Sequence, residues 1–278
     1  MSNQVKMPQN KYLQKITEFR DYRNKLPLSN PRHWLALVGL FWLEEGDNPF
    51  GSADSNKIVL PGFPHTHSGC LRLEGDQVSL TEAAEGLLLN RQTAELRLLK
   101  ADTDGDPDLI EAGRIHLMVI RRGGKVMVRA WDVESQAVKD FRGFKYFAVN
   151  PDYCVKATFI PYDPPKTFTV TDVIGSQHES AMLGEVHFKL NGQDLVLQVE
   201  DADDEGLISF VDETRKDKSY PGGRLLTLPK PLGETLTLDF NMALNWPCAY
   251  TPWATCPLPP KSNYLPVRIE AGEMRYHE

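Results

Sequence analysis

The segment from Asp239 to Pro260 constrains the fold of this 278-residue chain more than any other part of the sequence. It contains five prolines, two cysteines and several aromatic residues, without the periodicity of a helix or of an alternating strand. Each proline fixes φ and removes a backbone donor, which excludes the segment from the interior of a sheet. Pro257, Pro259 and Pro260 favour a polyproline-like extension at its end. We therefore predict a loop whose shape is set by its own sequence.

Size and composition limit the classes of protein to which the chain can belong. With 278 residues, of which 41% are hydrophobic, it is long enough for one large or two ordinary domains with apolar cores. The formal net charge is -7 and the pI is near 5.6, whereas phosphate binding requires clustered lysines and arginines. We therefore predict no nucleic-acid partner.

The sequence also predicts a compartment. Its N-terminal residues lack the apolar core of a signal peptide, and no segment approaches the roughly 20 apolar residues that cross a bilayer. Four cysteines in a chain of this length are too few for a disulfide scaffold. We expect a soluble cytoplasmic protein with reduced thiols and no membrane partner, and a homo-oligomer is compatible with the sequence.

Hydrophobic periodicity predicts a mainly β protein that begins with one helix. From Asn10 to about Leu26, apolar residues recur every three positions, which indicates an amphipathic helix that ends at Pro27. These apolar residues are Leu13, Ile16, Phe19 and Tyr22. The apolar run 34–43 fits a helical turn that leads into a buried strand, and residues 44–48 are typical of a turn.

Short strands separated by turn residues fill the rest of the chain, which indicates antiparallel sandwiches or barrels. We predict strands at 57–60, 70–73, 77–80, 86–89, 96–99, 114–120, 125–130, 153–160, 167–174, 184–190, 194–199, 207–211, 224–228, 235–240 and 265–270. Asn191-Gly192 is a strong hairpin signal. We divide the chain into the helix (1–30), an antiparallel β-sandwich (31–143) and a second antiparallel, barrel-like β half (144–278) packed against it.

The segment 239–260 closely resembles the C-terminal signature of a bacterial and archaeal family known as domain of unknown function 1684. The shared residues are Asp-Phe-Asn at 239–241, Ala243, Asn245, Pro-Cys-Ala at 247–249 and Ala-Thr-Cys-Pro-Leu-Pro-Pro at 254–260. The resemblance extends to Phe210, Asp212, Thr214, Tyr220 and Arg224, with Ser219 in place of the usual threonine, and to Arg129 and Asp132. The family name implies no activity.

The first half is similar to the forkhead-associated β-sandwich in the order and spacing of 48–52, 56–60, 67–71 and 89–91. The loops of such domains read phosphothreonine through arginines. Here Ser52 follows Gly51, and the second loop carries His67 and Ser68. Without a guanidinium the bidentate phosphate contact is lost, so the resemblance implies a sandwich and argues against phosphopeptide recognition.

A second polar cluster is a candidate site. Asp212, Tyr220 and Arg224 lie at one strand end and on the returning strand, so a hairpin brings a carboxylate, a phenol and a guanidinium together. Asp239, Asn241 and Asn245 follow along the sheet, and Arg129 and Asp132 lie on the strand that leaves the first half. Two interpretations remain open: an ion pair that ties the hairpin, or a polar pocket that the proline-rich loop covers.

Cys248 and Cys256 allow three interpretations, namely buried packing thiols, a metal or redox pair, and a nucleophilic cysteine. We predict no metal site elsewhere. The acidic stretch 102–108 lacks the register of a calcium loop, and His65, His67 and Cys70 make an incomplete zinc set. Both stretches are interpreted as surface turns.

These observations favour the binding of a small polar or anionic ligand in a pocket between the two β-rich halves. The residues expected to line it are Arg129, Asp132, Asp212, Tyr220, Arg224, Asn241, Asn245 and Cys248. One alternative is a cofactor-free hydrolase or lyase with Asp212 or Asp239 as general base and Arg224 as electrostatic stabiliser. Another is a protein-interaction module that uses the tract 257–260. The sequence specifies no cofactor.

Overall fold

The computed structural model describes residues 9–277, and it begins with helix α1 (Gln9–Ser29). The predicted helix is confirmed, but its buried face differs from the prediction. Tyr12 and Ile16 are buried, whereas Leu13 and Tyr22 are 37% and 63% exposed. Pro27 does not end the helix, which continues to Ser29. A proline is tolerated in this last turn because only a few backbone hydrogen bonds remain to be lost there. Within residues 9–277, no helix is long and apolar enough to cross a membrane.

The chain forms two compact units, each of which is described by itself. The first unit comprises residues 26–141. The second unit comprises residues 142–277 together with the helical residues 9–25. The N-terminal helix up to Lys25 thus groups with the C-terminal unit, and the first eight residues of the predicted segment 1–30 lie outside the described residues.

The first unit contains ten strands and the short helix α2 (Gln136–Lys139). The strands are β1 (Leu37–Trp42), β2 (Gly46–Gly51), β3 (Ile58–Val59), β4 (Gly69–Glu74), β5 (Gln77–Ala83), β6 (Leu88–Leu89), β7 (Gln92–Thr93), β8 (Ile110–Ala112), β9 (Ile115–Arg122) and β10 (Lys125–Asp132). They form sheets of order β1-β10-β9-β8-β6-β7 and β3-β2-β4-β5. All strand pairs are antiparallel except β2 with β3, so the mainly β prediction is confirmed.

Two local predictions for the first unit are wrong. The turn expected at 44–48 overlaps β2, because the edge of β4 supplies its hydrogen-bond partners. The strand expected at 96–99 is only a bridge between Ser79 and Leu98. The forkhead-associated resemblance is not confirmed. In the loops that carry that resemblance, His67 contacts Asn56 and Glu82.

The acidic stretch 102–108 forms ion pairs within the first unit. Asp108 accepts two hydrogen bonds of 2.8 Å from Arg97, and Asp104 pairs with Arg121. Burial opposes ionisation of Asp108, but the bonds from Arg97, the Lys100 amide and Asn90 outweigh it and lower its pKa to about 2. Residues 9–277 contain no cluster of three His, Cys, Asp or Glu side chains that would hold a metal ion.

The second unit contains one seven-stranded antiparallel sheet. Its strands are β11 (Cys154–Thr171), β12 (Gln177–Leu190), β13 (Gln193–Ala202), β14 (Glu205–Phe210), β15 (Arg224–Pro229), β16 (Thr235–Asp239) and β17 (Leu244–Asn245), in the order β16-β11-β12-β13-β14-β15-β17. Asn191 and Gly192 have φ values of 50° and 79°, so the predicted hairpin turn is confirmed. The strands predicted at 153–160 and 167–174 are parts of one strand, and 265–270 forms no strand.

This sheet rolls upon itself. Strands β15 and β16 lie towards opposite edges of the sheet, yet residues of both line one groove. The rolled sheet encloses an apolar core in which the rings of Phe188 and Phe210 lie 5.6 Å and 5.5 Å from the ring of Phe240. Such ring pairs add about 0.5–1.5 kcal/mol each beyond their buried area.

Gly184 of β12 pairs with Pro161 of β11, beside a register shift in β11. A Cβ atom at this position would lie 2.3 Å from the Ile160 carbonyl oxygen. We expect Gly184→Ala to lower the free energy of unfolding by about 1–3 kcal/mol through overpacking, measured by urea denaturation. Gly233→Ala is the matched control, because its Cβ would lie 3.9 Å from the nearest atom. Equal stability of the two variants would contradict this packing argument.

Candidate functional site

The side chain of Arg224 is fully buried and forms an ion pair with Asp212. Its Nη2 donates to Asp212 Oδ2 at 2.5 Å and to the Ile269 carbonyl at 2.9 Å, and its Nη1 donates to the Ala271 carbonyl. Asp212 Oδ1 in turn accepts from the amides of Thr214 and Ile269 at 2.9 Å and 3.1 Å. The guanidinium and the carboxylate thus hold the C-terminal segment against β15, which matches the ion-pair interpretation.

Asn245 belongs to a neighbouring network around Glu273. Its amide N donates to Glu273 Oε2 at 2.8 Å, and its Nδ2 donates to the Met274 carbonyl. The fully buried Glu273 also accepts from Tyr250 Oη at 2.5 Å and from Arg23 Nε at 3.2 Å. Burial and the Glu273 carboxylate raise the pKa of Tyr250 well above its usual value. These contacts tie α1, the proline-rich loop and the C-terminal segment together.

Asn241 is also committed to internal contacts. Its Nδ2 donates to Tyr12 Oη and to the Asn150 carbonyl, both at 2.8 Å, and its Oδ1 accepts from the Asn150 amide. Tyr12 Oη donates to Asp239 Oδ1 at 2.8 Å. Burial, followed by the charge of Asp239, raises the pKa of Tyr12, so the phenol remains a proton donor at neutral pH.

The carboxylate of Asp239 uses only one oxygen in these contacts. Oδ1 accepts from Tyr12 and, at 3.2 Å, from the Asn241 amide, whereas the buried Oδ2 has no hydrogen-bond donor within residues 9–277. The nearest cation is Lys15, whose Nζ lies 3.6 Å from Oδ2 and whose side chain is 48% exposed. The carboxylate thus interacts with Lys15 and with the Cys154 side chain, but its Oδ2 lacks a hydrogen bond of ordinary length within the described residues.

Asp239 lines a cavity of about 240 Å³, here called the Asp239 groove. The groove lies between the two edges of the rolled sheet and is mostly apolar. Its lining consists of Lys15 and Phe19 from α1, residues 225–229 of β15, residues 237–239 of β16, Met242 and Leu244. Only the end beside Lys15 and Asp239 carries charged side chains.

Tyr220, Cys248 and Cys256 form the thiol cluster. The Cys248 amide donates to Cys256 Sγ at 3.2 Å, and Cys248 is half-buried whereas Cys256 is buried. A hydrogen bond from the Cys256 side chain outweighs burial and, with one from Tyr220, lowers the pKa of Cys248 to about 7. Burial raises the pKa of the distant Cys154 to about 11, so the thiols differ widely in acidity.

The proline-rich loop is docked on its own unit. The Val173 amide donates to the Cys256 carbonyl, and the Leu258 amide donates to the Thr171 carbonyl, both at 2.9 Å. The loop therefore pairs with the tip of the β11–β12 hairpin, and Pro259 packs against Gly223. Its backbone is structured by local 3-10 turns such as Pro247–Ala249, in accord with a loop of defined shape.

Arg129 and Asp132 are part of the first unit. The Arg129 guanidinium lies 5.1 Å from the Trp34 ring centroid, and Asp132 pairs with Arg114 at 3.1 Å. All other predicted site residues belong to the second unit. There they separate into the ion pair, the Glu273 network, the Asp239 groove and the thiol cluster.

Three important residues escaped sequence reasoning. Lys15 and Tyr12 lie on a helix that is far from Asp239 along the chain, and Glu273 lies in a short irregular segment near the C-terminus. A signal for Glu273 was present: Gly272 precedes it and adopts a φ of 77°, a conformation that favours glycine and marks a turn or a close approach of the backbone.

Comparisons with known proteins point to one family. Residues 139–274 match the sequence model of the family described as Protein of unknown function (DUF1684). The solution NMR structure of an uncharacterized protein from Haloarcula marismortui is 32% identical in sequence; the match covers 49% of this chain and 78% of that one. The TM-score between the two structures is 0.42. No curated protein matches the chain.

Replacement of Arg224 tests the ion pair. Arg224→Ala leaves the Asp212 carboxylate buried without its cation, so we expect the free energy of unfolding to fall by about 3–5 kcal/mol. Thermal and urea denaturation measure this loss. Arg268→Ala is the matched control, because Arg268 forms only exposed ion pairs with Asp217 and Glu270 and such pairs contribute little. An Arg224→Ala protein as stable as the control would refute this assignment.

Alkylation tests the acidity of the thiol cluster. We expect iodoacetamide to label Cys248 before Cys70, Cys154 and Cys256, because only Cys248 combines partial exposure with a lowered pKa. The rate should rise between about pH 6 and pH 8 and then level off, since the thiolate is the reactive form. Peptide mapping by mass spectrometry gives the rate at each site. A rate for Cys248 that still climbs steeply above about pH 8 would contradict the lowered pKa.

Proposed function

The chain belongs to the DUF1684 family of proteins of unknown function, and from its second unit we propose that it binds a small amphipathic molecule in the Asp239 groove. The ligand carries a hydrogen-bond donor, an ammonium or a hydroxyl group, at one end and a short apolar body. The observation that carries this proposal is the carboxylate of Asp239: the residue lines the groove, and its buried Oδ2 has no hydrogen-bond donor within residues 9–277.

The energetic argument rests on the cost of an unsatisfied buried acceptor. A buried polar atom without a partner costs about 1–3 kcal/mol, and more when it is charged. A ligand donor at Oδ2 removes this cost. Lys15 only partly compensates the charge, because its Nζ lies beyond hydrogen-bond distance at 3.6 Å and its side chain is half in solvent.

The size and walls of the groove define the rest of the ligand. A volume of about 240 Å³ equals roughly eight water molecules at ~30 Å³ each, which is smaller than the cavities that take drug-sized ligands. Phe19, Met242 and Leu244 provide apolar contacts along the wall. The groove therefore suits a molecule of few heavy atoms with one polar end.

The edges of the sheet add backbone groups to this site. Strand β15 pairs with β17 only at Arg224 and Leu225, so its residues 226–229 have a strand partner on one side alone. Strand β16 likewise pairs only with β11. Residues of both strands line the groove, and carbonyl and amide groups on a strand edge can bond to a polar ligand.

The other predicted functions have less support from the geometry. Arg224 is only 1% exposed and is bonded to Asp212 and to carbonyls, so it is poorly placed to stabilise charge on a substrate. Asp212 has both oxygens engaged, which disfavours it as a general base. The tract 257–260 is paired with the unit's own hairpin, which disfavours it as a free docking motif.

Nuclear magnetic resonance of methyl-labelled methionine tests the proposal. Butylammonium, 1-butanol and butyrate share one apolar chain and differ in the head group. We expect the first two to shift the Met242 methyl signal, which lines the groove, and butyrate to shift it far less because its carboxylate meets Asp239. The signal of Met182, which does not line the groove, serves as an internal reference.

Asp239→Asn provides the matched variant. It keeps an acceptor for Tyr12 but removes the charge, so the affinity for butylammonium should fall by about tenfold or more while 1-butanol is less affected. Asp194→Asn is the control, because Asp194 is an exposed partner of Lys189 in the same unit. Tightest binding by butyrate, or equal binding by the Asp239→Asn protein, would disprove the proposal.

A further inference from the structure

Cys248 and Cys256 are in contact with each other within one loop. The Cys248 amide donates to Cys256 Sγ at 3.2 Å, and the Cys256 side chain also hydrogen-bonds to the Cys248 sulfur. Seven residues separate them in sequence. Two sulfurs in hydrogen-bond contact need only a small approach to reach the roughly 2.05 Å of a disulfide.

The two sulfurs have different environments, which suits them to different roles. Cys248 is half-buried and receives hydrogen bonds from Cys256 and Tyr220 that stabilise its thiolate. Cys256 is buried, and its backbone is anchored by the Val173 amide. An attacking thiol must be accessible and deprotonated, whereas the second thiol needs only to reach its neighbour.

We propose that Cys248 and Cys256 are a redox-active pair that reduces a small hydroperoxide and closes to an intramolecular disulfide. The Cys248 thiolate attacks the distal peroxide oxygen and forms a sulfenic acid, while the O–O bond breaks and the leaving oxygen is released as water or an alcohol. The Cys256 sulfur then attacks the Cys248 sulfur, forms the S–S bond and releases water. Two thiols are oxidised by two electrons as one peroxide is reduced, and a small thiol reductant restores the pair.

Tyr220 acts as a positioning residue in this scheme. Its phenol hydrogen-bonds to Cys248, and burial together with the thiolate raises the pKa of Tyr220, so it stays a donor. Gly222 keeps space for this ring, because a Cβ at Gly222 would lie 2.4 Å from Tyr220 Cε1. The phenol therefore stabilises negative charge on Cys248 without taking part in the bond changes.

A tightly held metal fits the cluster less well. Zinc and iron sites built from cysteine need four ligands as a rule. The part of the chain covered by 9–277 offers no group of three His, Cys, Asp or Glu side chains arranged for a metal ion. Thiol oxidation requires only the two sulfurs that the loop brings together.

Mass spectrometry of the reduced full-length chain tests the proposal. The protein is treated with hydrogen peroxide, blocked with N-ethylmaleimide and digested without reductant. No Lys or Arg lies between the two cysteines, so trypsin leaves both in one peptide; chymotrypsin cleaves after Tyr250 and Trp253 between them. We expect two chymotryptic peptides joined by a Cys248–Cys256 bond, with two hydrogen atoms fewer than the reduced pair.

Variants separate the two steps. Cys256→Ser should accumulate a sulfenic acid on Cys248 that dimedone traps. Cys248→Ser should consume peroxide at least about tenfold more slowly than the wild type. Tyr220→Phe should form the disulfide roughly twofold to fivefold more slowly than the wild type at neutral pH, because a smaller fraction of Cys248 is then thiolate. Cys70→Ser is the matched control and should behave like the wild type, since Cys70 lies in the first unit.

Three results would overturn the proposal. The first is peroxide-treated wild-type protein in which Cys248 and Cys256 are both blocked by maleimide. The second is a disulfide that involves Cys70 or Cys154 instead. The third is a Cys248→Ser protein that consumes peroxide at the wild-type rate. The digest of the wild-type chain decides the first two even if a variant fails to fold.

Discussion

The Asp212–Arg224 ion pair is the contact on which the second unit depends, because it provides hydrogen-bond partners for backbone groups of a C-terminal segment that belongs to no sheet. Residues 265–272 run without strand pairing, and buried carbonyls in such a segment need other donors. The planar guanidinium of Arg224 supplies donors to Ile269 and Ala271 at once. Asp212 neutralises that charge and also accepts from the Ile269 amide. Loss of either partner leaves a charge and several backbone groups unpaired.

Buried side chains of the same type differ in how much of their hydrogen-bonding capacity the fold uses. Asp212 and Asp239 are both buried carboxylates, but Asp212 has both oxygens bonded, whereas Asp239 Oδ2 has no hydrogen-bond donor within residues 9–277. The cysteines divide in a similar way: Cys154 is buried and has a raised pKa, and Cys248 is half-buried beside two donors. Environment, not residue type, thus decides which groups have capacity left for ligands or for chemistry.

One long strand was predicted as two. The predicted strands 153–160 and 167–174 leave a gap that contains Pro161, Pro164 and Pro165, yet β11 continues through it. Strand β11 pairs with β16 only from Cys154 to Thr158, so beyond that point it is an edge strand where missing donors are tolerated, and its register shifts there. The converse error occurred at 265–270: Leu265, Val267 and Ile269 are buried in alternation, but their backbone bonds go to Val211, Glu213 and Asp212 instead of a ladder.

Local sequence determined the N-terminal helix, the hairpin turn at Asn191-Gly192, the mainly β character and the shaped loop, because periodicity, positive φ and proline geometry act over a few residues. The sequence also placed Asp212 beside Arg224, since one hairpin carries both. Only the tertiary structure decided that this pair is buried and that Tyr12 and Lys15 contact Asp239. It also decided that Glu273 binds Arg23, Asn245 and Tyr250. These contacts of Asp239 and Glu273 join residues more than 20 positions apart, and the rolling of the sheet, which no local pattern encodes, brings them together.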